Sequence, residues 1–331
     1  MKKMLSLVLA LVMVMSIAAS ASALTIGFSQ IGQESDWRTA NTDDILTNLN
    51  AIDGWEVQYD DAQQKQENQI NALRRFITQN VDYILFTGVV STGWDEVLKE
   101  VNEAEIPLIL LDRIPDCVND IEYAGAFGGD FVEEGRRMAL WTANYVEKLG
   151  KSGEELNVVI LEGTTGSDAA IGRGNGIAEI LESYPNLKVI AQQSGNFTTA
   201  EGQAVMESFL KAHDQIDVLL AHNDGMALGA IDAIKAAGKV PGEDIIIVGC
   251  DAVKLGFDAI VAGDMNATIE CTPLYSAAVI ELIQGLEDGK APSRDIIHPE
   301  EGCFDTDGGI VYSLDGRVSE KAADVIDSRV Y

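Results

Sequence analysis

The sequence predicts an α/β protein of two doubly wound, parallel-sheet lobes. Three observations carry that prediction. Short β-branched runs alternate with amphipathic stretches of helical period along the 331 residues. The runs are apolar almost without interruption, as in strands covered on both faces. The alternation runs through the chain twice, with no low-complexity linker between the halves.

Ahead of the first strand, Lys2 and Lys3 precede an apolar stretch from Leu5 to Ile17, broken only by Ser6 and Ser16, and Ala21-Ser22-Ala23 follows. This is the pattern of a secretory signal over residues 1–23, with cleavage before Leu24. The stretch is shorter than the roughly 20 residues of a spanning helix. No Cys stands at the cleavage point, so an exported, soluble, unlipidated protein is expected.

The strands then follow in order. Thr25–Phe28 is the first, and Ile45, Leu46, Leu49 and Ile52 share a helical face behind it. Val57–Tyr59 is a short strand. Ile70, Leu73, Phe76 and Ile77 mark a helix, Tyr83–Phe86 a strand, and Val97, Leu98 and Val101 a helix feeding Leu108–Leu111. The second half repeats the pattern with strands at Val158–Leu161, Val189-Ile190, Val218–Leu220 and Ile245–Val248. The Gly-rich stretch Gly125–Gly129 suits a hinge between the halves.

Composition narrows the function. Lys and Arg number 23 against 53 Asp and Glu, a formal charge of −30, which argues against phosphate backbones and anionic lipid. At 47% hydrophobic the chain is globular, and at roughly 100–200 residues per domain it holds about two. Cys117, Cys250, Cys271 and Cys303 are too irregularly spaced for a zinc motif. They are expected to form one or two bridges or to remain buried thiols. Neither GxGxxG after a strand nor GxxxxGK[ST] occurs, and GxSxG and HExxH are absent. Of the three histidines, only His222 sits at a strand end, where a structural role is expected. No cofactor, metal or catalytic residue is expected.

Open parallel sheets bind ligands beyond the carboxyl ends of their strands. Polar residues gather there: Ser29-Gln30, Asp112-Arg113, Glu162-Gly163-Thr164, His222-Asn223-Asp224 and Asp251 each follow an apolar run. An Asp beside an Arg offers acceptors and a rigid donor fork to neighbouring hydroxyls of one polyol, or else forms a structural ion pair. Glu34-Ser35-Asp36-Trp37-Arg38 places an aromatic face and a guanidinium at a helix start, where Trp37 could cover a sugar's C–H face or staple the helix to the core. Arg173, between Gly172 and Gly174, permits close approach of backbone or ligand, or is a solvated surface residue.

These residues resemble the periplasmic sugar-binding proteins of ABC importers, in the ribose/galactose-type cluster. The resemblance runs from Leu24 to about Pro273 and is carried by Leu24–Gly32, Gln63–Ile70, Thr92-Gly93-Trp94, Ile106-Pro107 with Leu111-Asp112-Arg113, Ser194–Thr198, Ala221–Asp224 and Ala267–Glu270 with Thr272-Pro273. Glu34-Ser35 with Trp37-Arg38 points to the galactofuranose-binding branch, from which Asp36, Cys250 and Cys271 depart. The resemblance implies a type I periplasmic binding protein fold with lobes at residues 24–127 plus 272–299 and 128–271 plus 300–331. It implies sugar contacts from Glu34, Ser35, Trp37, Arg38, Asp112, Arg113, Arg173, Asn223 and Asp251, with Phe197 and Glu270 as weaker members. It also implies a monomer that is not an enzyme, carries a monosaccharide (best matched by galactofuranose) to an ABC permease, and binds no nucleic acid. A pyranose or pentose ligand, and delivery to a chemotaxis or kinase sensor, remain open. A repressor of this core would need a basic helix-turn-helix headpiece, and a secreted glycan hydrolase a positioned acid–base pair.

Overall fold

Strands that are apolar on both sides need cover on both sides, and that need shapes the molecule. In the computed structural model, which describes residues 23–331, the first sheet takes β1 (Leu24–Gln30), β2 (Trp55–Asp61), β3 (Tyr83–Phe86), β4 (Leu108–Leu111) and β5 (Gly125–Phe127). Between them run α1 (Asp36–Asn50), α2 (Gln66–Gln79) and α3 (Asp95–Glu103). The second half runs through α4 (Phe131–Lys148), β6 (Leu156–Glu162), α5 (Asp168–Leu181), β7 (Leu187–Ser194), α6 (Thr199–Ala212), β8 (Val218–Ala221) and α7 (Asp224–Ala236). It continues with β9 (Ile246–Asp251), α8 (Lys254–Ala262) and β10 (Ala267–Glu270). The chain returns to the first sheet with α9 (Ser276–Glu287) and β11 (Ile296–Ile297). It ends on the second with β12 (Cys303–Asp305), β13 (Glu320–Lys321) and α10 (Ala322–Val325). The signal expected over residues 1–23 lies, apart from Ala23, outside the described residues.

The sheets have orders β11-β5-β4-β3-β1-β2 and β13-β12-β10-β9-β8-β6-β7. In each, the first strand of the half lies between the second and third, so the order reverses beside β1 and β6 and a crevice opens at their carboxyl ends. All pairings of the first sheet are parallel. The second departs from the expectation at its edge, where β12 runs antiparallel to β10. At three residues, β12 is too short to show as an apolar run.

The eight strands expected from the sequence all form, β3 and β4 with the expected ends and the others within four residues of them. Their alternation fills two layers. Leu85, Ile109 and Leu111 pack with Ile45 and Leu49 of α1 and Val279 and Ile283 of α9. Ile84, Phe86, Leu108 and Leu110 pack with Leu73 and Phe76 of α2 and Val97 and Leu98 of α3. Two expectations are corrected. Ile52 lies beyond the end of α1, because the helix stops at Asn50. Of Gly125–Gly129, read as hinge, Gly125–Phe127 is a buried strand between β4 and β11, so within that stretch only the part after Phe127 passes between sheets. All four cysteines are buried free thiols.

The glycines around Arg173 serve helix packing. A Cβ at Gly176 would collide with the carbonyl of Val132, one at Gly135 with the carbonyl of Arg173, and one at Gly172 would lie 2.6 Å from Phe131 Cβ. Their absence lets the backbones of α4 and α5 meet. Overpacking at such a contact costs about 1–3 kcal/mol, so Gly176→Ala is expected to lower the free energy of unfolding by that amount. A urea midpoint unchanged from wild type would contradict the close approach.

Candidate functional site

A small cavity lies beyond the carboxyl ends of both sheets. The first half lines it with Glu34, Ser35, Trp37 and Arg38 around the start of α1, and with Asp112 and Arg113 after β4. The second half lines it with Phe131, Ala169, Arg173, Phe197, Asn223 and Asp251, and Cys271 adds the crossing after β10. Of the sugar contacts implied by the resemblance, Glu270 alone stays out of this lining, and of the polar strand ends Ser29-Gln30, Glu162–Thr164, His222 and Asp224 stay out as well. The Glu270 carboxylate instead accepts hydrogen bonds from Arg329 Nη1 at 2.8 Å and Gly302 N at 3.0 Å. Asp36 is exposed. A larger groove outside α5, between Ile171 and Val189, has Glu162 as its one ionisable residue and no comparable cluster of charges.

Local structure aims these side chains. Ser35 caps α1, its Oγ accepting from Arg38 N at 3.2 Å, which fixes Trp37 and Arg38 in the first turn. Trp37 Nε1 then donates to Cys271 O at 2.6 Å, so the indole is tied to the crossing as well as lining the cavity. Asn223 caps α7 by accepting from Met226 N at 2.9 Å and donates to Phe197 O at 3.1 Å. The Phe197 ring occupies the space a Cβ on Gly163 would need, and lies 4.9 Å from the guanidinium of Arg113 and 5.9 Å from that of Arg173. Phe131 supports Arg173 from another side at 5.5 Å.

Three guanidiniums, each at most 5% exposed, face one another here. Burying a charge is tolerated only with close partners. Arg38 has two: Nη2 to Asp112 Oδ2 at 2.5 Å and Nε to Glu34 Oε1 at 3.2 Å. Burial opposes its charge, but Asp112 and Glu34 prevail and its pKa is raised. Arg173 donates from Nε to Glu134 Oε2 at 2.7 Å, to the His222 carbonyl, and at 3.5 Å to Asp251 Oδ1. Arg113 is the least compensated. It reaches Glu34 at 3.2 Å and Asp112 only at 3.9 Å, and burial, then the charge of Arg38, push its pKa down. Burial also drives the Asp251 carboxyl upward against the pull of Arg173. His222 is pushed down to about 3 by burial and then Arg173, so its ring is neutral.

Glu34 Oε2, Arg38 Nη1 and Arg113 Nε are buried without a hydrogen-bond partner among the described residues. Buried polar atoms are nearly always paired, so three around one cavity mark where a ligand's oxygens would complete the set: two donors and one acceptor.

Sequence reasoning missed Phe131, Ala169 and Cys271 in the lining and Glu134 behind it. Asp130 and Glu133 stand at capping-box spacing, and Asp130 Oδ1 does accept from Glu133 N at 3.0 Å. That signal marks the start of α4, but only the α4–α5 contact turns Phe131 and Glu134 inward. Glu134, Cys271 and Glu301 bring potential metal ligands within 4.8 Å of one another. The Arg173 guanidinium already sits beside Glu134, where a cation's charge would otherwise be needed. Removing one partner from a buried pair costs about 3–5 kcal/mol, so Glu134→Ala is expected to lower stability by that order in denaturant titrations. A loss under about 1 kcal/mol, the scale of an exposed pair, would show that Arg173 does not depend on Glu134.

Comparison with known proteins agrees with this geometry. A model of the periplasmic binding protein domain matches residues 26–291. The galactofuranose-binding protein YtfQ of Escherichia coli (strain K12) is 42% identical over 296 residues, 88% of this chain and 91% of that protein. A Mycobacterium smegmatis protein solved in complex with β-D-fucofuranose has a TM-score of 0.81 at 45% identity, covering 86% of this chain and 91% of that one. The periplasmic binding component of the arabinose ABC transporter from Shewanella sp. ANA-3, bound to α- and β-L-arabinofuranose, has a TM-score of 0.81 at 38% identity, covering 92% and 95%. No helix among the described residues is long and apolar enough to cross a membrane. With two α/β sheets of matching order, a cavity between their carboxyl ends and these relatives over most of its length, the chain belongs to the periplasmic binding protein family and has its type I fold.

Proposed function

We propose that the protein, exported and acting as a monomer, captures one monosaccharide in its furanose ring form between its lobes and presents the closed form to an ABC permease. The observation that carries this reading is the trio of unpartnered buried atoms on Glu34, Arg38 and Arg113 around a small two-walled cavity. Two donors and one acceptor in fixed positions suit neighbouring hydroxyls. The surrounding arginines already have carboxylates of their own, which favours an uncharged ligand over an anion. Furanose ligands in two similar structures and in the name of a third relative support the ring form. The same relatives, which are binding proteins by their descriptions, support binding rather than turnover.

In this reading Arg38, Arg113 and Arg173 donate to sugar oxygens, Glu34, Asp112 and Asp251 accept, Asn223 contributes its amide, and Trp37 and Phe197 cover the C–H faces. Ser35 sets the position of Arg38. Both walls come from one chain, so no second copy is needed. We place the lobe boundaries at residues 24–127 plus 272–299 and 128–271 plus 300–331, with the three crossings as the hinge. Across the mouth, Ser91 N donates to Gly166 O at 2.8 Å and Ile114 N to Asp168 Oδ2 at 3.2 Å. A sugar bonded to both walls stabilises closure by its differential affinity for the closed state.

Calorimetric titration of ligand-stripped, refolded protein against galactofuranose, L-arabinose and matched hexopyranoses tests the reading. One-to-one binding of a furanose with pyranoses much weaker is expected, and a pyranose preference would discard the ring-form assignment. Absence of sugar binding by a folded sample would remove the reading itself. Arg113→Ala and Asp251→Ala are each expected to weaken binding at least about tenfold, a difference of about 1.4 kcal/mol. Wild-type affinity in a folded variant would exclude that residue from the site.

Closure also carries a pH dependence. Burial raises Asp168 to about 6, with the Ile114 hydrogen bond opposing, Asp112 adding to the rise and Arg113 opposing it. A carboxyl whose pKa is higher in the closed state favours closure once protonated. Affinity is therefore expected to rise as pH falls from about 7 to 5. Asp168→Asn should flatten that rise, and an unchanged slope in the variant would assign it to another group.

A further inference from the structure

Asp251 and Ala252 are consecutive non-glycine residues with positive φ, +117° and +56°. Such backbone is unfavourable for L-residues and persists only where its surroundings over-determine it. Here the turn that ends β9 is held from both sides. Ala252 N donates to Thr268 Oγ1 at 3.1 Å, and Val253 N to Asp224 Oδ2 at 3.0 Å. The Ala252 carbonyl accepts two hydrogen bonds from one guanidinium, Arg329 Nη2 at 2.9 Å and Nε at 3.2 Å. Arg329 is itself fixed. Its Nη1 donates to Glu270 Oε1 at 2.8 Å and its Nη2 to the Tyr331 hydroxyl at 2.7 Å. Its plane lies 4.9 Å from the Phe257 ring, 5.1 Å from Phe304 and 4.8 Å from Tyr331. Lys254 N donates to Tyr331 O at 2.7 Å, which docks this end segment beside the same turn.

We propose that Arg329 is a positioning residue for the sugar site: it locks the Ala252 peptide so that the Asp251 carboxylate is aimed into the cavity, and Glu270 acts through it. The inference rests on the sugar-binding reading above. Arg329 lies outside the cavity lining, so it acts through the backbone of β9's last turn. A planar fork with two N–H groups on one carbonyl and a third on a carboxylate is specific to arginine, and lysine cannot reproduce it. This also accounts for Glu270, which sits one strand away from Asp251 in register yet faces Arg329.

The test is calorimetric titration with galactofuranose and L-arabinose of wild type, Arg329→Gln, Arg329→Lys, Ala252→Gly and the Ala252→Gly/Arg329→Gln double variant. Wild-type binding is the control, and its absence would overturn the sugar reading independently of Arg329. Arg329→Gln is expected to weaken binding about tenfold and Arg329→Lys by less. Glycine adopts positive φ without penalty, so in the Ala252→Gly background the Arg329→Gln loss should shrink to under about threefold, a coupling read from the double-mutant cycle. A general loss of stability would persist in both backgrounds and overturn the inference. So would wild-type affinity in a folded Arg329→Gln protein. If that variant does not fold, Arg329→Lys against the Ala252→Gly/Arg329→Lys pair decides by the same criterion.

Discussion

The molecule is organised around burying three guanidiniums between two lobes. Leaving water is so unfavourable for an ion that each arginine dictates what must stand beside it. Arg38 requires Asp112 and Glu34, and so requires the end of β4 to meet the start of α1. Arg173 requires Glu134, and so requires α4 and α5 to approach until their backbones touch, which Gly135, Gly172 and Gly176 permit. Arg113 has the weakest set of partners and leans on the Phe197 ring, itself held where Gly163 leaves room. Helix caps, glycine contacts and strand ends that look unrelated along the chain are thus answers to one electrostatic demand.

The pairing is arranged lobe by lobe. Arg38, Arg113, Glu34 and Asp112 all belong to the first half, while Arg173, Glu134 and Asp251 belong to the second. The lobes meet at the mouth through the Ser91–Gly166 and Ile114–Asp168 hydrogen bonds and the stacking of Arg113 on Phe197. Because the ion pairs are internal to each half, separating the lobes would break none of them. That arrangement suits a protein whose proposed work is to open and close on a ligand, since opening would leave these pairs intact.

Behind the cavity the second sheet adds a further layer of support. Cys250, Ile269 and Cys303 stand in register across β9, β10 and β12, and Cys271 follows two residues later. All three thiols are buried and free, and the Cys250 Sγ lies 3.6 Å from Glu134. They pack as small apolar groups beneath α4, as buried cysteines do. On the far side the 329–331 segment closes over the turn at Ala252. The residues that line the cavity are thus distributed from Glu34 to Cys271.

What was legible from sequence was what local pattern encodes. Apolar runs at Leu108–Leu111 or Val218–Leu220 read as strands covered on both faces, so the two doubly wound sheets and the polar residues at their ends were readable, Asp112, Arg113, Asn223 and Asp251 of the cavity lining among them; Glu34–Arg38 and Arg173 stood out by their neighbours, and Phe197 was implied by the resemblance alone. Elements of two or three residues, such as β11 and β12, carry too little pattern to read, and β5 looked like a hinge because two of the residues around it are glycines. Direction was illegible as well. Glu134 and Phe131 differ from their neighbours only in which way α4 turns them, and Glu270 faces Arg329 only because a segment sixty residues later folds back onto it. By itself the sequence determined which residues stand at the strand ends. Tertiary structure decided which of their atoms share a cavity, because charge compensation and backbone approach act between segments that periodicity cannot connect.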